Sequence, residues 1–535
     1  MDPGTILAVT TFAGKCLSYG TVFVKMCRSY LRADEEAAEL LIAIESNWVK
    51  METQIRLMKD ISSSLDKPVL DIQARILSQL EGKLKTATLT VDKLMKDKKE
   101  ADKARLERGN ATTSSLIPEL GKMKVSKKVR YVFQKSSLYQ IVDDIEKWQA
   151  RYDPMWFIAV REKSNVIDET LLGEQQRSSN RHIPIIIAAK GIHDAVSAAS
   201  VARDDEARDP IWVDQLALQP SPIPHSTAQR AVLAADSDEE VLIDVVVSHA
   251  DADAGLTRNA VRNLARILAQ VDPSTFGLLK CQGAVRPEGG SNLAVPQSVA
   301  PPIFKFIFSI PPNLTEPKSL REVLLSKARY PLDEQLGLAK KIVNSVLFVQ
   351  TANFVHKNIR PENIIAFKDK NSEIGAPFLV GFEQFRVESA RTYRTGDGKW
   401  EHNLYRHPSR QGIRPDVDYR MRHDIYSLGV VLLEIGIWTS LVVYDGQDSS
   451  CSPRPHEILG SIDVGSGQNG RKSAYKKILE SLAETELPSR LGKRYTEVVL
   501  RCLRCLDSGH GGDTEVDVGM GYIDDVLEEI HAIML

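Results

Sequence analysis

His356-Lys357-Asn358-Ile359-Arg360-Pro361-Glu362-Asn363 is the stretch on which the fold of this 535-residue chain turns. It follows an apolar run at residues 339–354 (AKKIVNSVLFVQTANF) that reads as a buried helix, so the helix delivers a short polar loop headed by a histidine. About 60 residues further on, Asp424-Ile-Tyr-Ser-Leu-Gly429-Val-Val-Leu-Leu-Glu434 places an aspartate at the head of a second, strongly apolar helix. The third residue of the loop, Asn358, is an amide. It has no lone pair basic enough to take a proton near neutral pH.

These two stretches, in this order and at this spacing, resemble the protein kinase family, and the resemblance covers residues 206–535. His356, Pro361, Glu362 and Asn363 stand at the spacing of the kinase catalytic loop, and Asp424 stands where kinases carry the aspartate that braces that loop. Leu404-Tyr-Arg-His-Pro408-Ser409 falls where the Ala-Pro-Glu motif would be, with Ser409 in place of the glutamate. The resemblance implies a bilobal domain: a strand-rich first lobe at about 206–315 and a helical second lobe at about 316–535. The runs at 241–247 (VLIDVVV), 276–281 (FGLLKC) and 303–309 (IFKFIFS) read as its strands, and 257–271 reads as a helix between them. After Pro331 helices dominate, with loops at 386–400 and 444–470.

The positions that carry kinase chemistry are altered. Asn358 replaces the aspartate that accepts the substrate's proton, a loss worth roughly 10²–10⁴ in rate by itself. The Asp-Phe-Gly motif that holds magnesium reads Gly381-Phe382-Glu383. The strand lysine that contacts the phosphates aligns with Val246, or else with Val245, and the helix at 257–271 contains no acidic residue to partner it. No glycine-rich phosphate loop precedes the first strand run. The expectation is a catalytically dead pseudokinase with no cofactor and no metal site. His356, Asn363, Phe382, Glu383 and Asp424 are then scaffold residues.

Composition sets the wider frame. Net charge is −2, so the whole chain is no polyanion binder and a nucleic-acid partner is not expected. Six cysteines are too sparse for a disulfide framework and suit a reducing cytosol. Cys502 and Cys505 form a C-x-x-C without a second pair or a nearby histidine, which reads as core thiols on a helix. The apolar N-terminus, MDPGTILAVTTFAGKCLSYGTVFVKMC, carries Lys15 in its middle. That charge cuts the uncharged runs to about half the ~20 residues of a spanning helix, so a permanent anchor is not expected, whereas conditional insertion remains open.

The first 200 residues read as helical. Leu40, Ile44, Trp48, Met51, Ile55 and Met58 form one stripe, and Leu70, Ala74, Leu77, Leu80 and Leu84 another. Residues 122–135 hold Lys122, Lys124, Lys127, Lys128, Arg130 and Lys135 and no acidic residue. Each cation is worth about 1 kcal/mol at an anionic membrane surface. The plain alternative is a solvated helix face.

This basic helix with Tyr131 and Phe133, and the glycine-punctuated apolar N-terminus, are similar to the HeLo domains of fungi. Tyr131 and Gln134 depart from that family's usual tryptophan and aspartate. A HeLo-like helical bundle at 1–150, a helical brace and linker at 151–205 and a degenerate kinase domain resemble the mixed lineage kinase domain-like executioners of necroptosis. The animal members of that family also carry Gly-Phe-Glu for Asp-Phe-Gly.

The resemblance implies a cytoplasmic cell-death executioner. Signalled by an upstream protein or kinase, it would oligomerise with itself, move to the plasma membrane and permeabilise it through anionic lipids. Gly4, Ile6, Leu7, Phe12 and the basic residues from Lys122 to Arg130 would be its effector residues. Ser389, Thr392, Tyr393 and Thr395, in the activation-loop position, would be its regulatory hydroxyls. The alternatives are an atypical active kinase using Glu383 or Asn363 for metal, and a non-lytic signalling adaptor.

Overall fold

The computed structural model describes residues 3–31, 38–108, 141, 165–177, 190, 193, 211–213, 220–232, 239–247, 254–269, 271, 273–286, 303–351, 354–370, 372–382, 386–387, 396–444, 452–460, 468–507, 518 and 521–533. The chain divides into two compact units, Met1–Ile186 and Ile187–Leu535.

The first unit is helical. α1 (Pro3–Leu31) packs against α2 (Ala38–Ile61) and α3 (Lys67–Arg108), and α4 (Asn165–Arg177) lies against α2. Helical periodicity turns Val9, Ala13, Cys16, Phe23 and Cys27 of α1 into the core. There they meet Met51, Ile55 and Met58 of α2 and Leu77, Leu80, Leu84 and Val91 of α3, all buried. Gly20 lets α1 and α2 approach closely: a Cβ at that position would lie 1.9 Å from ring carbons of Trp48. The Cys16 thiol donates to the Leu77 carbonyl at 3.3 Å, and burial pushes its pKa up to about 12, so it is a core thiol.

The second unit begins with a five-stranded antiparallel sheet of order β1-β2-β3-β5-β4. Its strands are Ser221–Pro222, Gln229–Val232, Glu240–Val247, Cys281–Val285 (β4) and Ile303–Ser309 (β5). α5 (Ala254–Ala269) covers β4. The sequence expectation of a strand at 276–281 is displaced: Leu278 and Leu279 are buried in the approach, and the strand begins at Cys281. Two further strands lie at 221–232, which pairs into a hairpin ahead of the runs named in the sequence.

A smaller sheet follows, β6-β8-β9, formed by Thr315–Ser319, Ile364–Asp369 and Ser372–Leu379; β7 (Phe354–Val355) pairs separately with β10 (Arg386–Val387). Between β6 and β7 lie α6 (Leu320–Leu325) and α7 (Leu332–Thr351). α8 (Met421–Ile437) is buried along almost its whole length, as its apolar composition demands, and packs on α7, α9 (Gln468–Arg490) and α10 (Gly492–Arg504). A helical N-terminal region is thus followed by a mixed sheet-and-helix region compatible with a kinase-like domain.

Candidate functional site

The loop at 356–363 runs from β7 into β8 and is anchored from below by α8. Asp424, in the first turn of α8, accepts the backbone N–H of His356 at 2.8 Å and of Lys357 at 2.9 Å, and the hydroxyl of Tyr419 donates to it at 2.7 Å. Lys357 takes a left-handed backbone, φ 64°. Burial raises the Asp424 pKa to about 6, against the pull of those three hydrogen bonds. The imidazole of His356 is fully buried, which lowers its pKa to about 3 and keeps it neutral. It stacks at 4.7 Å on Phe382, whose ring also meets Phe306, Phe308 and Phe354 at 6.2–6.4 Å. An aromatic column therefore joins β5 of the large sheet to the loop.

Asn358 is buried, and both ends of its amide are engaged. Its oxygen accepts from Arg360 Nε at 2.8 Å, and its nitrogen donates to the Gly381 carbonyl at 3.3 Å. Asn363 donates to the Asn358 carbonyl at 2.7 Å, and its own carbonyl takes the Val380 N–H at 2.8 Å. Gly381 sits at φ +86°, where a Cβ would lie 2.3 Å from Asn363 Cγ. The volume in which a side chain at 381 would begin is already filled by Asn363.

The strand side chain that reaches this cluster is not Val246. It is Asp244, two residues earlier, fully buried and accepting the backbone N–H groups of both Gly381 (2.9 Å) and Phe382 (2.8 Å) with one carboxylate oxygen. Residues two apart on a strand share a face, so Asp244 and Val246 lie on the same side of β3. The signal was available: Asp244 is the one charged residue inside the apolar run 241–247. A carboxylate therefore stands on the strand where the alignment sought a phosphate-binding lysine.

A second buried network lies beside the loop, and sequence reasoning passed over its centre, Arg321 of α6. Arg321 is fully buried and binds Glu362 of the loop (3.2 Å) and Glu434 of α8 (2.8 Å), the Ser440 hydroxyl (2.6 Å) and the Tyr405 hydroxyl. Tyr405 donates to Glu434 at 2.8 Å, and the Leu441 N–H donates to Glu434 at 2.7 Å. Arg321, followed by Arg360, holds the Glu362 carboxyl below its ordinary pKa despite burial. Four segments of chain are pinned through one guanidinium. Ser409, in place of the expected glutamate, binds His407 Nδ1 at 2.8 Å.

The structure brings together His356, Asn358, Asn363, Gly381, Phe382 and Asp424. Among the described residues no group of three or more His, Cys, Asp or Glu is placed to hold a metal ion. Of the N-terminal candidates, Gly4 and Leu7 are exposed on α1 and Ile6 and Phe12 are half-buried; Lys15 lies over the Phe12 ring at 5.6 Å and pairs with Glu81 at 3.4 Å. Residues Gly4–Ser29 are long and apolar enough to cross a membrane by length and composition, with 28% of the tested window buried. Glu383, Lys122, Lys124, Lys127, Lys128, Arg130, Ser389, Thr392, Tyr393 and Thr395 lie outside the described residues.

Among curated proteins the chain is similar to the eIF-2-alpha kinase GCN2 of Schizosaccharomyces pombe, 25% identical over 134 residues. The match covers 22% of this chain and 8% of that kinase. No family model matches the chain.

Proposed function

We propose that this chain is a non-enzymatic, kinase-shaped switch controlling an N-terminal helical effector that permeabilises membranes and kills the cell. The observation that carries the effector half is α1. Its apolar stretch Gly4–Ser29 has the length of a membrane span, and Leu7 is 67% exposed. The observation that carries the switch half is the self-occupied cleft. The Asn358 amide is bound within the protein, the room for a side chain at 381 is taken by Asn363, and an acid, Asp244, holds Gly381 and Phe382. A carboxylate at that place repels phosphate oxygens instead of attracting them.

In this reading the kinase-like unit receives an upstream signalling protein or kinase. The chain self-associates, leaves the cytoplasm for the plasma membrane, and engages anionic lipids through the basic residues from Lys122 to Arg130.

The test is dye release from vesicles of phosphatidylcholine with phosphatidylserine. Residues 1–186 should release dye, Leu7→Asp should suppress release, and the full chain should be quiet. No release by residues 1–186 at any lipid charge would remove the effector half. Phosphate transfer from Mg-ATP by the full chain would remove the switch half and favour an atypical kinase.

A further inference from the structure

The free edge of β4 is occupied. On one side β4 pairs with β5; on the other, residues 211–213 lie along it as a short parallel strand. The Val213 N–H donates to the Ala284 carbonyl at 3.0 Å, and the Ala284 N–H donates to the Ile211 carbonyl at 2.8 Å. Every residue of the helical unit lies N-terminal to this segment, so the polypeptide enters the large sheet through it.

β4 is shaped to accept it. A Cβ on Gly283 would lie 2.3 Å from Val213 Cγ2 and 2.8 Å from the Ile211 carbonyl oxygen. Any other residue at 283 would push the segment off. Ile211 is buried, while Trp212 is the lateral anchor, with Arg286 over its ring at 4.8 Å and Phe304 at 6.3 Å.

The attachment is nevertheless slight. Among the described residues it rests on two backbone hydrogen bonds, the buried Ile211 side chain and one aromatic anchor, and the anchor is incompletely satisfied: the Trp212 Nε1–H is buried and meets no acceptor among the described residues. A buried donor without a partner favours the state in which water can reach it. Arg286, its cationic partner, is exposed, so that contact is screened.

We propose that residues 211–213 form a releasable strap, held on the β4 edge by the space at Gly283 and by the ring of Trp212, whose buried N–H without an acceptor keeps that anchor weak. Its release frees the chain leading in from the helical unit without unfolding the sheet. Release also uncovers a β-edge, the surface on which an extended segment adds by backbone pairing. The strap is independent of whether the helical unit acts on membranes.

Hydrogen exchange on the full chain tests it. In the native protein the Val213 and Ala284 amides should open together, at least about ten-fold more often than the β3–β5 ladder. Gly283→Val should bring the Val213 amide to the rate of unstructured chain while the β3–β5 ladder keeps its protection. Trp212→Ala, which overpacks nothing, should raise strap opening by a further factor of about ten. Strap amides that open only with the β3–β5 ladder in the native chain would overturn the proposal. So would a Gly283→Val protein whose Val213 amide stays protected, or a Trp212→Ala protein whose strap opens no faster.

Discussion

The carboxylate of Asp244 accepts the backbone N–H of Phe382 at 2.8 Å, and the same oxygen takes the neighbouring N–H of Gly381. One strand residue therefore fixes the conformation of the Gly381-Phe382 segment beside the His356 loop. Asp244→Ala would leave both N–H groups buried without an acceptor. It should cost about 2–4 kcal/mol in chemical denaturation of the full chain. Asp244→Asn, which keeps an acceptor oxygen, should cost less than half as much. Equal losses would mean that packing, not the hydrogen bonds, holds the segment.

An acid placed at 381 should not be accommodated. Gly381→Asp puts a Cβ 2.3 Å from Asn363 Cγ at a backbone angle that side chains rarely adopt. Strain of this kind costs about 1–3 kcal/mol before any overpacking. The variant should melt lower than the native chain and show no thermal shift with Mg-ATP. A stabilising shift would show that the loop accommodates metal after all.

Arg321 carries the other deep network. Arg321→Met strands the Glu434 carboxylate without its cation and leaves Glu362 to Arg360 alone. Breaking a buried pair from one side typically costs about 3–5 kcal/mol. Glu434→Gln keeps the shape and one acceptor, and should cost less. Urea unfolding of both variants checks the order.

Acid should weaken the kinase-like unit, with a defined sign. Burial lowers His356 and His423 to about 3 and His407 to about 4, so the unfolded chain takes up these protons first as pH falls below 6.5. Their contribution to stability is present at neutral pH and lost through this window. Asp424, raised to about 6, works oppositely, since the folded state protonates first between 6 and 3.8. Three histidines outweigh one aspartate near pH 5, so among these four groups the unfolded chain binds more protons and stability falls as the pH falls. Stability measured at pH 7, 6 and 5 should fall progressively; a flat profile would mean the histidines are not buried neutral.

In the helical unit, Gly20→Val would drive a side chain into the ring of Trp48. Overpacking of this kind costs about 1–3 kcal/mol. Denaturation of residues 1–186 should show that loss, and Trp48→Leu in the same chain should recover part of it. Additive losses would place Gly20 and Trp48 apart.

Much of the architecture was legible from local pattern. The stripes Ile44-Trp48-Met51-Ile55-Met58 and Leu70-Leu77-Leu80-Leu84 predict α2 and α3, and these residues are buried. Residues 303–309 read as a strand and form one. The strands β6, β8 and β9 were missed because Thr315–Ser319 is polar and the other two surround a polar turn, so neither alternation nor an apolar run marks them clearly. The hairpin at 221–232 was hidden because its prolines and serines mark turns and not an apolar or alternating run.

Sequence alone determined the order of parts, helices first and then a sheet followed by helices. It also picked out the loop at His356, the aspartate at 424 that braces it, and the residue types at Asn358 and Gly381. These are local properties, set by residue type and by spacing along a helix or loop. Only tertiary structure decided the long-range partners: Asp244 on Gly381 across 137 residues of chain, and Arg321 on Glu434 across 113. It also decided the fit of Asn363 against Gly381 and of residues 211–213 against Gly283. Such pairings join segments remote in sequence and leave no periodicity behind. They exist because a buried charge or N–H must find a partner wherever the fold brings one, and the chain is read only one neighbourhood at a time.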